Sequence, residues 1–235
     1  MTSATDTPPT SIPSKVPYEF VPFPSDRARL EMVRGGRDHC APPAFADATV
    51  SVIVLAPEGR AASGHAVRAA LAQSHAVHEV IVVGPDWTSA ARTTFASASA
   101  CDARVRLLAV PRPGLAPASP RARRFVRAAQ YVRAALPHLT GDWVAILGED
   151  AAPSHTYVAA LLQAARPGEH ELVWSASNDA QTFEEGSFGG TLWSAALAAI
   201  PPHDHAGWDS MPPDRAWWSR WIDAGVRAPA AGSPT

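Results

Sequence analysis

Two adjacent carboxylates, Glu149 and Asp150, follow an apolar run at residues 143–147, with Gly148 between the run and the acids. A short apolar run of this kind indicates a buried strand, so the charges are expected where that strand ends. Open α/β sheets bind their ligands outside the carboxyl ends of the strands, and carboxylate oxygens suit Mg²⁺ or Mn²⁺, which in turn binds phosphate oxygens. The pattern therefore predicts a site for a nucleotide or phosphate together with a divalent cation. The alternative is an ordinary polar loop in which Asp150 is solvated.

The elements that must position these acids alternate along the chain. Strands are predicted at residues 49–55, 79–83, 105–110, 143–147 and 172–176, and helices at residues 64–74, 89–100, 120–136, 154–165 and 214–224. β-Branched runs indicate the strands, and apolar residues at helical spacing indicate the helices, with Ser154 as the expected N-cap of its helix. Alternation at this spacing predicts right-handed crossovers, a mostly parallel sheet flanked by helices, and therefore the α/β fold class.

Length and composition bound the class of protein. The chain has 235 residues, of which 46% are hydrophobic, enough for one sizeable domain. A formal net charge of -2 gives no reason to expect nucleic acid or an anionic membrane as a partner. Cys40 and Cys101 make neither a disulfide framework nor a metal-finger spacing, and they fit a reducing, cytoplasmic location. The amino terminus lacks a signal-peptide pattern, and no apolar run reaches the ~20 residues of a membrane span.

Composition also divides the chain into three segments. Residues 1–48 are rich in Pro, Ser and Thr and are predicted to form an irregular arm. Residues 49–227 are predicted to form the single α/β domain, and residues 228–235 a frayed tail. Nothing in the sequence indicates the oligomeric state.

From about Val50 to Arg227 the order of elements resembles the family 2 glycosyltransferases of the GT-A fold. Four stretches carry the resemblance: residues 50–54, 70–83, 142–150 and 213–225. The second contains a helix that ends in Ala-Gln and leads into the next strand, a pattern that recurs in the family. The resemblance implies a Rossmann-type, mostly parallel sheet. It also implies that a sugar passes from a nucleotide-diphosphate donor to a small-molecule acceptor, secondary metabolites being one class, in an inverting, metal-assisted reaction.

The resemblance implies roles for the acids as well. The family's metal-binding motif is Asp-x-Asp, and in register with it this chain has Gly148, Glu149 and Asp150. Asp150 is then the expected ligand of the metal or diphosphate, with Glu149 as a second carboxylate. After its second strand the family has Asp-Asp-Gly-Ser, where this chain has Gly84, a proline and Asp86. Asp86 is either a ligand of the nucleotide base or part of an ordinary turn.

Further positions follow from the same resemblance. Pro57 and Glu58 come after the first strand, where the family binds the nucleotide, although Glu58 is equally consistent with a surface charge. Asp214, at the start of the last helix, aligns with the family's catalytic base and is also a suitable helix cap. Asp209 is the second candidate for that base. His205 would complete the metal shell, and otherwise belongs to a polar loop.

Four of the eight tryptophans lie close together late in the chain: Trp208, Trp217, Trp218 and Trp221. Trp217 and Trp221 are four residues apart, which is the spacing of one helix face, so most of this group is predicted to lie in the core. Trp208 is predicted to be the platform for the acceptor, because a flat aromatic face suits the apolar side of a sugar or aglycone.

Two alternatives to an active sugar transferase stay open, because glycines stand at positions 84 and 148 where the family has acids. One alternative is a GT-A-fold protein that no longer transfers sugar and serves as a binding or partner module. The other is a GT-A scaffold whose acids act on a substrate other than a nucleotide sugar.

Overall fold

The computed structural model describes the central part of the chain and several shorter stretches. The described residues are 28, 47–56, 63–85, 93, 97, 102–111, 120–149, 151–165, 171–174, 191–199, 221 and 223. The strands are β1 (Val50–Leu55), β2 (Glu79–Gly84), β3 (Val105–Ala109), β4 (Trp143–Gly148), β5 (Leu172–Trp174) and β6 (Thr191–Ser194). The helices are α1 (Ser63–Leu71), α2 (Pro120–Ala135) and α3 (Tyr157–Ala165), with 3-10 turns at Leu136–His138 and Ala195–Ala199.

The six strands form one sheet in the order β3-β2-β1-β4-β6-β5. The first four strands are mutually parallel, whereas β6 lies antiparallel between β4 and β5. From β1 the chain moves outward to β2 and β3 on one side, and β4 then pairs on the other side of β1. The sheet therefore has a topological switch point between β1 and β4, the place where open α/β sheets form a ligand crevice.

Helices cover both faces of the sheet, which explains why its central strands are apolar throughout. Every residue of β1 and β2 is buried, as expected for parallel strands with helices on each side. Because side chains alternate along a strand, Ile53 and Leu55 pack in one core with α2, while Val52 and Val54 pack in another with α1 and α3. The predicted α/β class, with a mostly parallel sheet flanked by helices, is confirmed.

The predicted strands are all present, and where both ends are described they agree within one residue. Three elements differ from expectation, the first being helix α1, which ends at Leu71 rather than at Ser74. The strand β6 was not predicted, since four residues are too few for a clear two-residue period. Helix α3 begins at Tyr157 rather than at Ser154. Of the predicted helix 89–100, Thr93 and Ser97 are helical, and the other ten residues lie outside the described part of the chain.

The tryptophan late in the chain that the structure describes lies in the core, as predicted. Trp221 is helical and fully buried, and its ring packs on that of Trp193 with centroids 5.3 Å apart and planes tilted by 55°. Trp208, Trp217 and Trp218 are outside the described residues. So are most of the arm at 1–48 and the tail at 228–235, and these segments stay predictions. Within the described ranges, no helix combines the length and apolar character needed to cross a bilayer.

Candidate functional site

The carboxyl ends of the four parallel strands lie along one edge of the sheet. In the register, Leu55 at the end of β1 pairs with Val83 on one side and with Gly148 on the other. Gly84 at the end of β2 pairs with Ala109 at the end of β3. The segments that follow β1, β2 and β4 therefore leave the sheet beside one another.

Those segments are the ones in which the sequence predicts ligand-binding residues. Pro57 and Glu58 follow β1, Asp86 follows β2, and Glu149 and Asp150 follow β4. Only Glu149 of these five is among the described residues. The topology thus brings their attachment points to one edge, while the predicted ligand roles of the other four stay predictions.

Glu149 is a buried carboxylate at the switch point. It directly follows Gly148, the last residue of β4, and only 8% of its surface is exposed. The N–H of Ala151 donates to the carbonyl of Gly148 over 3.1 Å, so the chain turns as soon as the strand ends, with Glu149 at the first central position of the turn. Glu149 is thus a buried acid at the carboxyl edge of the sheet, the edge at which open α/β sheets bind their ligands.

Gly148, the residue before Glu149, has no described atom close to where its side chain would begin. A Cβ built on Gly148 would meet no described atom within 4 Å, and its φ lies outside the left-handed region that favours glycine. Within the described part of the chain, neither crowding nor backbone conformation therefore requires glycine there.

Of the predicted metal ligands, Glu149 is the one that the described residues include, and its hard carboxylate oxygens fit Mg²⁺ or Mn²⁺. Across the described ranges no three His, Cys, Asp or Glu side chains come together in a way that could hold a metal ion. The other predicted ligands, Asp150 and His205, lie outside those ranges, as do the predicted bases Asp209 and Asp214.

The start of α3 is built differently from the sequence prediction. Ser154 does not serve as the N-cap, because the helix begins three residues later; its carbonyl accepts from the N–H of Tyr157 at 3.1 Å. The first-turn N–H of Val158 instead donates to the side-chain oxygen of Gln73, 2.9 Å away. A glutamine 85 positions earlier thus binds a free N–H of this helix. The only signal for Gln73 in the sequence is its place in the Ala-Gln pattern.

The opposite, amino edge of the sheet holds a second acid in a different role. Glu79 starts β2, and one of its carboxylate oxygens accepts from the Ser51 hydroxyl at 2.7 Å and from the N–H and hydroxyl of Thr140 at 2.6 and 2.9 Å. Its other oxygen pairs with Arg106. Burial by itself raises the pKa of Glu79, but the hydrogen bonds from Ser51, Thr140 and Arg106 outweigh it and hold the pKa below the ordinary 4.5. The described partners of Glu79 engage both of its carboxylate oxygens, which indicates a structural role.

Comparison with known proteins supports the fold and leaves the family open. No protein-family model and no curated sequence matches the chain. Among solved structures, a mannosyltransferase from Pyrobaculum calidifontis in complex with GDP-Man and Mn²⁺ matches with a TM-score of 0.58 at 16% identity. The match covers 88% of this chain and 64% of the mannosyltransferase.

A second solved structure, glucosyl-3-phosphoglycerate synthase from Mycobacterium tuberculosis with Mn²⁺, UDP-glucose and phosphoglyceric acid, matches with a TM-score of 0.45 at 18% identity. That match covers 75% of this chain and 62% of the synthase. The chain therefore spans less than two thirds of the length of either protein. The similarity to the mannosyltransferase shows that this chain has the GT-A fold.

Proposed function

We propose that this chain is a cytoplasmic glycosyltransferase that moves a sugar from a nucleotide-diphosphate donor to a small-molecule acceptor, with inversion and with help from a divalent cation. The observation that carries the proposal is Glu149, a buried carboxylate that directly follows β4 at the switch point between β1 and β4. The GT-A fold, shared with a mannosyltransferase whose structure contains GDP-Man and Mn²⁺, supports it.

The donor would lie across the carboxyl ends of β1, β2 and β4. Pro57 and Glu58 would contact the nucleotide, and Asp86 would accept a hydrogen bond from its base. These residues follow β1 and β2, which are paired up to Leu55 and Val83.

The diphosphate would lie next to the end of β4. Glu149 and Asp150, with His205, would hold Mg²⁺ or Mn²⁺, and when bound this cation would neutralise the charge of the departing diphosphate. Glu149 can serve here because burial keeps water from competing for its oxygens.

The acceptor would be activated by a carboxylate from late in the chain. As the acceptor oxygen forms its bond to the anomeric carbon, the bond to the diphosphate breaks and the hydroxyl proton passes to Asp214. Asp209 is the second candidate for this base. Trp208 would support the apolar side of the acceptor.

Calorimetric titration with UDP-glucose and GDP-mannose, each with and without Mn²⁺, tests the proposal. We expect at least one nucleotide sugar to bind, and Mn²⁺ to strengthen its binding. Glu149→Gln removes a charged ligand and should reduce the Mn²⁺-dependent affinity by about tenfold or more. Asp102→Asn is the matched control, because Asp102 pairs with Arg104 near the amino end of β3, away from the site.

The proposal is wrong if no nucleotide sugar binds under either condition. The predicted role of Glu149 as a metal ligand is wrong if Glu149→Gln and Asp102→Asn have the same Mn²⁺-dependent affinity for the nucleotide sugar.

A binding module without transferase activity is the second candidate, and Gly148 favours it, because the family's first metal-binding acid is missing there. This candidate predicts that Asp150→Ala changes neither the affinity for nucleotide sugars nor the yield of any glycosylated product. Loss of either in Asp150→Ala would favour the enzyme.

A further inference from the structure

Gln73 is a buried amide whose hydrogen-bonding groups all bind backbone. It is 8% exposed. Its Nε2 donates to the carbonyl of Ala69 at 3.0 Å and to the carbonyl of Ser154 at 2.9 Å, and its Oε1 accepts from the N–H of Val158 at 2.9 Å. An amide supplies two N–H donors and an acceptor oxygen, so this position uses both donors and the acceptor.

These contacts join two elements that are far apart in the sequence. Ala69 lies in the last turn of α1, whereas Ser154 and Val158 lie on either side of the start of α3. A backbone hydrogen bond runs beside them, from the N–H of Ser74 to the carbonyl of His155 at 2.8 Å. The end of α1 is thus tied to the start of α3 by two side-chain hydrogen bonds and one backbone hydrogen bond, while the bond to Ala69 fixes the Gln73 side chain on α1.

The segment between β4 and α3, residues 149–156, carries Glu149 and Asp150; we refer to it as the β4–α3 connection. At its first end, Gly148 pairs with Leu55, and the N–H of Ala151 bonds back to the carbonyl of Gly148. At its second end the Gln73 amide and Ser74 hold residues 154–158. The connection is therefore held at both ends, and at the second end two of the three hydrogen bonds come from the side chain of Gln73.

We propose that Gln73 is a positioning residue for the candidate donor site: by holding Ser154 and Val158 it keeps the β4–α3 connection in the conformation that places Glu149 at the sheet edge. This inference rests on the proposed function. It assigns no contact with the substrate to Gln73, which acts through the backbone of the connection.

The chemistry at this position is specific for glutamine. In Gln73→Glu the carboxylate could still accept from Val158, but it would face the carbonyls of Ala69 and Ser154 with no hydrogen to donate. In Gln73→Met the volume is nearly kept while all three hydrogen bonds are lost, and the N–H of buried Val158 is left without this acceptor.

Two measurements on the full chain test the proposal: hydrogen–deuterium exchange by mass spectrometry, and nucleotide-sugar titration with and without Mn²⁺. We expect both Gln73 variants to exchange the amides of residues 149–156 about tenfold faster and to lose about tenfold in Mn²⁺-dependent affinity. Glu79→Gln is the control, because it weakens the opposite edge of the sheet without touching the connection. Glu79→Gln should leave the exchange at residues 149–156 and the Mn²⁺-dependent affinity unchanged, even if it lowers the Tm as much as the Gln73 variants do.

The outcomes separate this proposal from the proposed function. If the wild-type chain binds nucleotide sugar and the Gln73 variants bind it with the same Mn²⁺ dependence, the positioning role is wrong and the glycosyltransferase proposal stands. If faster exchange is confined to Val158, Gln73 only caps α3 and the positioning role is wrong. If the wild-type chain binds no nucleotide sugar, the proposed function is wrong. If, in addition, the Gln73 variants exchange the amides of residues 149–156 at the wild-type rate, Gln73 does not hold the connection either. Should Gln73→Met not fold, Gln73→Glu alone decides.

Discussion

At the scale of single residues, the carboxyl end of β4 has a glycine, Gly148, directly before a buried acid, Glu149. Glu149 is buried, and next to it Gly148 has room for a side chain among the described residues. A metal site with two or three protein carboxylates binds more tightly than one with fewer, because each adds charge and a hard oxygen ligand. The strength of any cation site here should therefore respond to what stands at position 148.

Gly148→Asp should raise the affinity for Mn²⁺ by about tenfold, a free-energy gain of about 1.4 kcal/mol. The new carboxylate would stand on the residue next to Glu149, and among the described atoms outside its chain neighbours none lies within 4 Å of the added Cβ. Gly148→Ala is the matched control, since it makes the same backbone change without adding a ligand. Equal Mn²⁺ affinities for the Asp and Ala variants, measured by calorimetry, would contradict the predicted metal site.

At the scale of elements, the two glycines that flank the apolar run of β4 differ in how closely other residues pack on them: Gly141 is crowded, whereas Gly148 has no described atom within 4 Å of an added Cβ apart from its chain neighbours. Gly141 lies two residues before the strand, and a Cβ there would come within 2.7 Å of both the backbone nitrogen and the hydroxyl of Ser51, and within 3.1 Å of the Thr49 carbonyl. Its N–H donates to the Ser51 hydroxyl at 2.9 Å. Next to it, Asp142 accepts from the Thr49 hydroxyl at 2.6 Å. The segment that leads into β4 thus lies directly against the start of β1.

Gly141→Ala should lower the free energy of unfolding by about 1–3 kcal/mol, because the methyl group would push the start of β4 away from β1. Gly148→Ala, at the other end of the strand, should change it by no more than about 0.5 kcal/mol. Urea denaturation of the two variants and the wild-type chain measures both values. Equal effects of the two substitutions would contradict the close packing inferred at Gly141.

At the scale of the whole molecule, the two edges of the parallel sheet have different roles in our proposal. The amino edge stabilises the fold, and the carboxyl edge binds the ligand. At the amino edge, polar side chains from β1, β2, β3 and the segment before β4 satisfy one another around Glu79 and Asp142. At the carboxyl edge, the acids that follow β4 are available to a ligand by our proposal. Substitutions at the amino edge should therefore change stability while leaving nucleotide binding as it is.

Glu79→Gln tests this division through pH. Because the pKa of folded Glu79 lies below 4.5, its charged form stabilises the fold fully above pH 4.5, and this contribution is lost as the pH falls through the folded pKa. At pH 7 the variant should be less stable than the wild-type chain by about 1–3 kcal/mol. Chemical denaturation at pH 7 and in steps below pH 4.5 should show that the difference in free energy of unfolding between the wild-type chain and Glu79→Gln narrows as the pH falls. The nucleotide affinity at pH 7 should be the same for both. A gap that stays constant with pH would contradict the role of the charge.

Local patterns in the sequence were enough to locate most of the elements. The β-branched runs of β1 and β2 and the apolar run of β4 mark strands, because burial on both faces selects such residues along the whole strand. The same patterns place Glu149 and Asp150 directly after a central strand. They did not indicate β6, whose four residues carry too short a period, or the late start of α3, whose first turn is bound by a residue from another element.

What the sequence by itself determined is thus most of the elements and the placement of Glu149 and Asp150 directly after a buried strand, since both follow from patterns within a few residues. Tertiary structure decided which acid belongs to which edge: Glu79 is bound by groups 28 and 61 residues away, whereas Glu149 lies at the switch point between β1 and β4. It also decided that Gln73 spans 81 and 85 residues to hold the connection after β4. The physical reason is that hydrogen-bond partners are chosen by the crossovers of the fold, and strand order is absent from any local pattern.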